Sequence, residues 1–441
     1  MKHEQNRQNP QQSVEHLFRH KHAEILAAIL RSVGFENMEL VEEAIQGAFQ
    51  TALEHWPYAG MPENPGGWLY TVARNRTIDA LRKRKRDRRR ESAGAADMHL
   101  AGADCDPSDL PDELSTGLDD LATMILLCCN PAISPIGQVC VTLRAACGFS
   151  VLEIARVLGM RPEAVKKTLT RSRKRIATER RSLKVLAPGR VSERFWIVMQ
   201  CLYAMFTEGY AASSGPSPMR REVAEEAIRL ADILLAASIV PESEKADLHA
   251  LVALMLFQLA RFDARCDALG TPIRIEDQDR TLWNRDLIHA GLTALAHSQR
   301  APRISAYHLE ARIAAEHATS PDFSRTDWTL ILRLYDDLLK LKPDRAVQLN
   351  RIVALGRARG PDEALEQMAR LEPPDGSPAR DRYLYHAARG DLLLAAGRPG
   401  AGQREWSLAA GFAPTKAEQA HAQKKSGPAP EPVPNSDRPA S

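Results

Sequence analysis

The stretch FSVLEIARVLGMRPEAVKKTLTRSRKRI, residues 149–176, has the spacing of a helix-turn-helix hairpin. Ala155 is small where two helices would cross, Gly159 lies four residues later at the tight turn, and Val165 would face the core. Pro162 can begin the second helix, because the missing N–H of a proline costs nothing in the first helical turn. The stretch therefore predicts two short helices packed at a fixed crossing.

The second helix of this hairpin would carry a basic outer face. The first residues of such a helix can enter a major groove, and lysines and arginines further along can meet phosphates. A generic hairpin with a solvated basic face is the alternative, and the Ala-Gly-Val spacing favours DNA binding over it. The candidate DNA-binding residues are Arg161, Lys166, Lys167, Thr170, Arg171, Arg173, Lys174 and Arg175.

A second basic segment lies upstream. Residues 68–90 read WLYTVARNRTIDALRKRKRDRRR and follow a Pro- and Gly-rich loop, PYAGMPENPGG, at residues 57–67. Aromatic rings beside a basic helix suit single-stranded nucleic acid, because bases stack on the rings while Lys and Arg hold the backbone. Trp68 taken alone could equally be a core anchor. The candidate nucleic-acid-binding residues of this segment are Trp68, Tyr70, Arg74, Asn75, Arg76, Arg82, Lys83 and Arg86.

The rest of the chain is dominated by helical patterns. Apolar residues recur every three or four positions and strand-like alternation is nearly absent, which predicts an all-α protein. With 441 residues, two or three domains are expected. The expected order is a small helical domain over 13–91, an acidic flexible linker over 92–116, the helix-turn-helix domain over 117–184, a large helical extension over 190–414 and a disordered Pro- and Ala-rich tail over 415–441.

The extension contains a partial tetratricopeptide pattern near its end. The small, large and proline positions of that template are occupied by Gly390, Leu393, Trp406, Ala409 and Pro414. An ordinary helical hairpin is the alternative. Because tetratricopeptide-like arrays usually bind peptides or proteins in a concave groove, a regulatory protein or peptide is the expected partner of the extension.

Several classes of function are disfavoured by what the sequence lacks. No HExxH, nucleophile elbow, Walker loop or Rossmann glycine pattern occurs, so we expect neither an enzyme nor a cofactor. The seven cysteines form no CxxC pair, which favours buried reduced thiols over a metal site. The chain has no apolar run of about 18 residues and begins with a polar segment, so neither a membrane span nor a secretory signal is expected. These features favour a cytoplasmic protein.

Five motifs together resemble one family. They are ELVEEAIQGAFQTALEHWP, NPGGWLYTVARNRTIDALRKRKRDR, LRAACGFSVLEIARVLGMRPEAVKKTLTRSRKRI, EGYAASSG and IEDQDRTLWN. With them the chain resembles a bacterial sigma factor of the extracytoplasmic-function (ECF) type in the sigma-70 family. More narrowly, it resembles the subgroup with a C-terminal tetratricopeptide-like extension. The resemblance covers residues from about 13 to 414, and the last two motifs, which have no evident meaning by spacing or chemistry, make the subgroup specific.

The resemblance implies a function and its partners. Such a sigma factor binds core RNA polymerase, directs it to promoters and assists strand opening, and the extension would regulate that activity. The loop with Trp68, Tyr70 and Asn75 would capture an unstacked base of the minus-ten element, while the arginines and lysines that follow hold phosphates. The helix-turn-helix would read the minus-thirty-five element and contact the β flap. The helix that docks on the β′ clamp would use Glu39, Leu40, Glu42, Glu43, Gln46 and Phe49.

A polymerase-independent helix-turn-helix regulator with a helical sensor domain is the alternative function. Such a regulator would bind duplex DNA without polymerase and would not need the segment that begins at Trp68. In the sigma-factor interpretation, the acidic linker would instead thread through the polymerase near the path of RNA.

Overall fold

The computed structural model describes residues 10–92, 118–178, 188–210, 221–267, 273–301, 303–371 and 377–427. Within these ranges the regular elements are all helices, which confirms the all-α prediction. The chain forms two compact units, Met1–Met255 and Leu256–Ser441. The boundary between them falls inside the segment 190–414 that the sequence suggests as one extension. Apart from residue 92, the expected linker lies outside the described residues.

The first unit begins with a three-helix module, formed by α1 (Pro10–Val33), α2 (Met38–Ala59) and α3 (Pro65–Ser92). Gly34, with φ 84°, lets the chain turn sharply between α1 and the 3₁₀ turn that precedes α2. Asn64 caps α3, because its side-chain oxygen accepts a hydrogen bond from the Gly67 N–H at 2.9 Å. The residues of α1 from 25 to 30 are buried on every side, because α1 packs on α2 and α3 and also on helices that follow later in the chain.

The helix-turn-helix forms as the sequence predicts. It follows α4 (Leu118–Cys128) and α5 (Pro135–Ala145), and consists of α6 (Val151–Val157) and α7 (Pro162–Thr178). Ala155 and Val165 are buried between the helices, and Gly159 has φ 60° in the turn. A capping box fixes the start of α6, in which Ser150 Oγ accepts from the Glu153 N–H and the Ser150 N–H donates to the Glu153 carboxylate.

Three further helices, α8 (Pro188–Tyr210), α9 (Arg221–Ala236) and α10 (Glu242–Leu259), follow the helix-turn-helix. Helix α4 is buried on all sides over residues 121–128, because α1, α5, α8 and α9 surround it. Arg229 of α9 donates to the Ala146 carbonyl at 2.8 Å, and Asp119 of α4 accepts from the Ser238 N–H at 2.6 Å. Helices α8 and α9 therefore complete the core around the helix-turn-helix module.

Four cysteines of the first unit, Cys128, Cys129, Cys140 and Cys147, have side chains that are almost entirely inaccessible. Burial raises the pKa of Cys140 to about 12 and raises that of Cys128 as well. The expectation of buried thiols at these positions is confirmed.

The second unit continues with α11 (Arg285–Ser298), α12 (Ala306–Thr319), α13 (Trp328–Leu341), α14 (Arg345–Arg359), α15 (Pro361–Ala369), α16 (Ala379–Ala395), α17 (Pro399–Phe412) and α18 (Lys416–Ser426). Each helix packs mainly on the helices next to it in sequence. Gly390 of α16 lies against the Trp406 ring of α17, at a point where a Cβ atom would collide. This close approach is what the pattern around Gly390 and Trp406 predicts.

Helix α18 corrects the expectation that the chain is disordered from residue 415. Thr415 Oγ1 caps this helix by accepting from the Glu418 N–H at 3.2 Å. Ala422 is fully buried against Trp406 and Tyr383. The helix ends at Ser426, and residues 428–441 lie outside the described residues.

The motif IEDQDRTLWN has a structural role in the second unit. The Arg280 guanidinium stacks over the Trp283 ring at 4.4 Å and donates to the carbonyls of His317 and Ser320 at 2.9 and 2.7 Å. Those carbonyls lie at the end of α12, where a cation is favoured. Asn284 caps α11. The motif therefore connects the start of α11 to the end of α12.

Candidate polymerase and nucleic-acid interface

The acidic helix α2 exposes one stripe of side chains. Glu39, Glu43 and Gln46 are exposed at spacings of four and three residues, and Leu40 beside them is half-buried. This face is acidic and is exposed among the described residues of the first unit, so these four residues remain candidates for docking on a basic partner.

Two of the predicted docking residues face inward instead. Phe49 is 4% exposed and belongs to the core between the helices of the first module. Glu42 is 3% exposed and turned towards the helix-turn-helix module. Neither side chain is accessible to a partner in this structure, which contradicts the prediction that Glu42 and Phe49 dock on the polymerase.

Glu42 connects the three-helix module (α1–α3) with the helix-turn-helix module, which comprises α4 to α7. Its carboxylate accepts from Arg173 Nη2 of α7 at 2.6 Å and from Arg144 Nε of α5 at 3.2 Å. The side chains of Glu42, Arg144 and Arg173 are 4%, 11% and 18% exposed. Burying these three charged groups costs desolvation, and loss of the carboxylate would leave both guanidinium groups mostly buried without a counter-charge. Arg173 was expected on the DNA-binding face, but in this structure its guanidinium group is hydrogen-bonded to Glu42.

Two more contacts hold the same modules together. Arg31 of α1 pairs with Asp120 of α4 at 3.0 Å. His22 of α1 is completely buried and lies close to Arg144 and Ala145 at the end of α5. The three-helix module and the helix-turn-helix module therefore share one continuous interface.

The two aromatic residues expected to capture a base, Trp68 and Tyr70, differ in their exposure to solvent. Trp68 is half-buried and packs edge-to-face on Trp56, with ring centroids 5.4 Å apart. Tyr70 is 0% exposed, so the prediction that it contacts DNA is wrong. It faces the core because it lies beside Leu69 and one turn before Ala73, which are both buried.

Tyr58 is an exposed aromatic residue that the sequence analysis did not single out. It lies at the end of α2 beside the Pro- and Gly-rich loop, and it is 92% exposed. Met61 in the loop is also exposed. Because a helix turns by about 200° over two residues, Tyr58 faces away from the core side on which Trp56 is buried.

The exposed basic surface of α3 lies mainly in the second half of the helix. Arg82, Lys83 and Arg86 are exposed along one end of the helix, and Asn75 is exposed near its start. Arg76 has a second role, since it donates to Thr51 Oγ1 of α2 at 2.9 Å and lies against Gly47. Arg74 is half-buried and donates to the Asn75 side chain at 3.5 Å.

The outer face of α7 is basic and exposed, as expected for a recognition helix. Lys166 makes a solvent-exposed pair with Glu163 at 3.1 Å, which is a weak contact that a phosphate could replace. The exposed side chains of this face are Arg161, Lys166, Lys167, Thr170, Arg171, Lys174 and Arg175.

Comparison with known families identifies both modules. Residues 18–87 match Sigma-70 region 2, and residues 124–176 match Sigma-70, region 4. The chain belongs to the sigma-70 family. Members of this family are transcription initiation factors that bind RNA polymerase and recognise promoters. In this sigma factor, region 2 covers most of α1, all of α2 and most of α3, and region 4 runs from within α4 through α5 and the helix-turn-helix.

The comparisons also define what lies beyond these two regions. Residues 194–299 of the sigma factor match a family of unknown function (DUF6596). The chain is 36% identical over 377 residues, 85% of each chain, to an uncharacterized protein of Rhizobium meliloti (strain 1021), and belongs to the same family. No solved structure matches it. Among its described helices, none combines the length and apolarity needed to cross a membrane.

Acid is expected to weaken the first unit of the sigma factor through His22. Burial, and secondarily the nearby Arg144 guanidinium, lowers the pKa of His22 from 6.5 to about 3. The unfolded chain therefore takes up a proton near pH 6.5 that the folded chain does not. The free energy of unfolding therefore keeps its full value, as far as His22 is concerned, above pH 6.5. It decreases by about 1.4 kcal/mol per pH unit as the pH falls from 6.5 towards 3. Urea titrations at pH 7, 6 and 5 measure it.

The matched variants for this measurement are His22→Leu and His55→Gln. His55 is exposed on α2, so His55→Gln is the control for removing a histidine from the same unit. His22→Leu should flatten the pH dependence. Equal slopes for wild type and His22→Leu would show that other groups cause the acid sensitivity.

Proposed function

We propose that this protein is an ECF-type sigma factor whose two DNA-binding modules are held together in the free protein and separate on promoter binding. The observation that carries the proposal is that one compact unit displays an acidic docking stripe on α2, an exposed tyrosine beside the loop before α3, and a basic recognition face on α7. A helix-turn-helix regulator that acts without polymerase would need only the last of these.

Each surface suits a different partner. The stripe of Glu39, Leu40, Glu43 and Gln46 would dock on the β′ clamp helices, and the helix-turn-helix module would contact the β flap. Tyr58 and the half-buried Trp68 would stack on an unpaired base of the minus-ten element. Such a factor would act in the cytoplasm, with the polymerase.

Distance supports the separation of the modules. The minus-ten and minus-thirty-five elements are about 25 base pairs apart, which is about 85 Å of duplex at about 3.4 Å per pair. Glu42 and Arg173 are in direct contact in the closed form. The roughly 25 residues between α3 and α4 could span about 85 Å when extended. The modules can therefore reach both elements only if the Glu42 contact breaks.

Regulation by the extension is supported by the contacts of α8 and α9. These helices bury α4, and α9 donates to the end of α5 through Arg229. A partner that moved α8 or α9 would disturb the helices on which the helix-turn-helix is built. We infer that the extension, with tetratricopeptide-like hairpins in its second half, receives a protein or peptide signal and controls opening of the modules.

Reconstitution with core RNA polymerase tests the proposal. The full chain is expected to form a stable holoenzyme that opens promoter fragments recovered from genomic DNA by that holoenzyme, with permanganate reactivity reporting unpaired thymines. Tyr58→Ala should reduce open complex about 5- to 160-fold, since stacking of one base contributes about 1–3 kcal/mol. His55→Ala, on the same exposed end of α2, is the control. Binding to duplex DNA without polymerase association would support the regulator instead, and unchanged opening by Tyr58→Ala would exclude Tyr58 as the stacking residue.

A further inference from the structure

A cavity of about 390 Å³ opens in the second unit between the end of α11 and the start of α12. Its volume lies in the range of small-molecule sites, which is about 300–1,000 Å³. Leu295, Ala301 and Ile304 provide an apolar wall, and Gln299, Arg303 and Arg312 provide the polar groups. The cavity lies at the end of the segment that matches the family of unknown function.

The charged side chains that line the cavity are positive. The described residues that line it include two arginines and no aspartate or glutamate. Arg303 and Arg312 are exposed, and within the described ranges neither forms an ion pair. Helix α12 begins next to the cavity at Ala306, so its N-terminal dipole adds to the positive potential. An anion is the complementary ligand.

His308 fixes the position of the backbone that lines the cavity. The Ser305 N–H donates to His308 Nδ1 at 3.2 Å, and His308 Nε2 donates to the Ser298 carbonyl at 3.0 Å. His308 thus ties the end of α11 to the start of α12 across the loop between them. A site with a fixed backbone loses less entropy when it binds a ligand.

We propose that this cavity binds a small organic carboxylate with an unbranched apolar body, of which octanoate is a representative. The carboxylate would be held by the Arg303 and Arg312 guanidinium groups, and the alkyl chain would lie against Leu295, Ala301 and Ile304. This site does not depend on the proposed function, because its test uses neither polymerase nor DNA.

Isothermal titration of the full-length protein with octanoate tests the site. Binding should saturate at one ligand per chain, and octanol should bind at least tenfold more weakly because it lacks the charge. Hexanoate should bind more weakly by about fourfold for each methylene removed. Equal affinity for octanoate and octanol, or no binding at millimolar concentration, would overturn the proposal. Binding of a peptide C-terminus without any response to octanoate would overturn it too, in favour of a peptide site.

Matched arginine variants locate the ligand. Arg312→Gln and Arg303→Gln should each weaken octanoate binding about tenfold, whereas Arg333→Gln, an exposed arginine on α13 away from the cavity lining, should leave it unchanged. Circular dichroism of each variant verifies that the helices are intact. If Arg312→Gln and Arg303→Gln bind octanoate as Arg333→Gln does, the carboxylate is not in this cavity.

Discussion

Replacing Glu42 by alanine is expected to break the contact between the three-helix module and the helix-turn-helix module. The change removes the carboxylate that Arg144 and Arg173 share and leaves two mostly buried guanidinium groups without it. Removing one partner of a buried ion pair costs about 3–5 kcal/mol, and we expect about 3 kcal/mol here because both arginines retain some exposure. Urea titration of the full chain measures this loss of unfolding free energy.

The same variant should improve access to DNA. Arg173 is released from Glu42, so binding of duplex DNA by α7 should become tighter while the closed form becomes less stable. Glu43→Ala is the matched control, because it removes the same charge from the exposed face of α2. A double-mutant cycle with Arg173→Ala isolates the coupling between the two side chains. If Glu42→Ala and Glu43→Ala have the same stability and the same affinity for DNA, Glu42 does not hold the modules closed.

Ending the chain at residue 187 is expected to destroy cooperative folding of the helix-turn-helix module. The truncation removes α8 and α9, and with them part of the cover of α4. Phe195 and Phe206 of α8 are completely buried, and burial of each such side chain contributes about 1.5–3 kcal/mol. A domain has only about 5–15 kcal/mol of net stability, so the loss of several such side chains exceeds it.

A chain that ends at Leu259 is the control for this truncation. It keeps α8, α9 and α10 and should unfold in one cooperative transition, whereas the chain that ends at residue 187 should show a broad thermal transition and associate. Circular dichroism melts and size-exclusion chromatography distinguish the two. If both chains melt with the same cooperativity, α8 and α9 are dispensable and the boundary suggested by the sequence near residue 190 is the functional one.

The helix-turn-helix could be predicted because its determinants are local. The Ala155, Gly159 and Val165 spacing encodes a crossing, a turn and a core contact within eleven residues. The orientation of Glu42 depends instead on Arg144 and Arg173, which are 102 and 131 residues away in sequence. No helical pattern within α2 reveals such a partner. The sequence therefore predicts that α2 is acidic but not which of its carboxylates is used internally.

Two other predictions are wrong although local features of the sequence indicate the correct result. Phe49 lies four residues after the buried Ile45, so it continues the apolar stripe of α2 rather than the acidic one. Helix α18 was hidden by averaging composition over the whole tail. Its own eleven residues, KAEQAHAQKKS, are good helix formers that follow a capping threonine, and the prolines begin only after Gly427.

The sequential packing of α11 to α18 determines how the second unit can come apart. Because each helix touches mainly its neighbours, the free energy of this unit is approximately a sum over adjacent pairs. Loss of α18 would first uncover the Trp406 and Tyr383 side chains and leave the contact between α12 and α13 intact. The unit can therefore unfold from its C-terminal end one helix at a time. For the same reason, duplication or deletion of a hairpin at this end would leave the packing of the remaining helices unchanged.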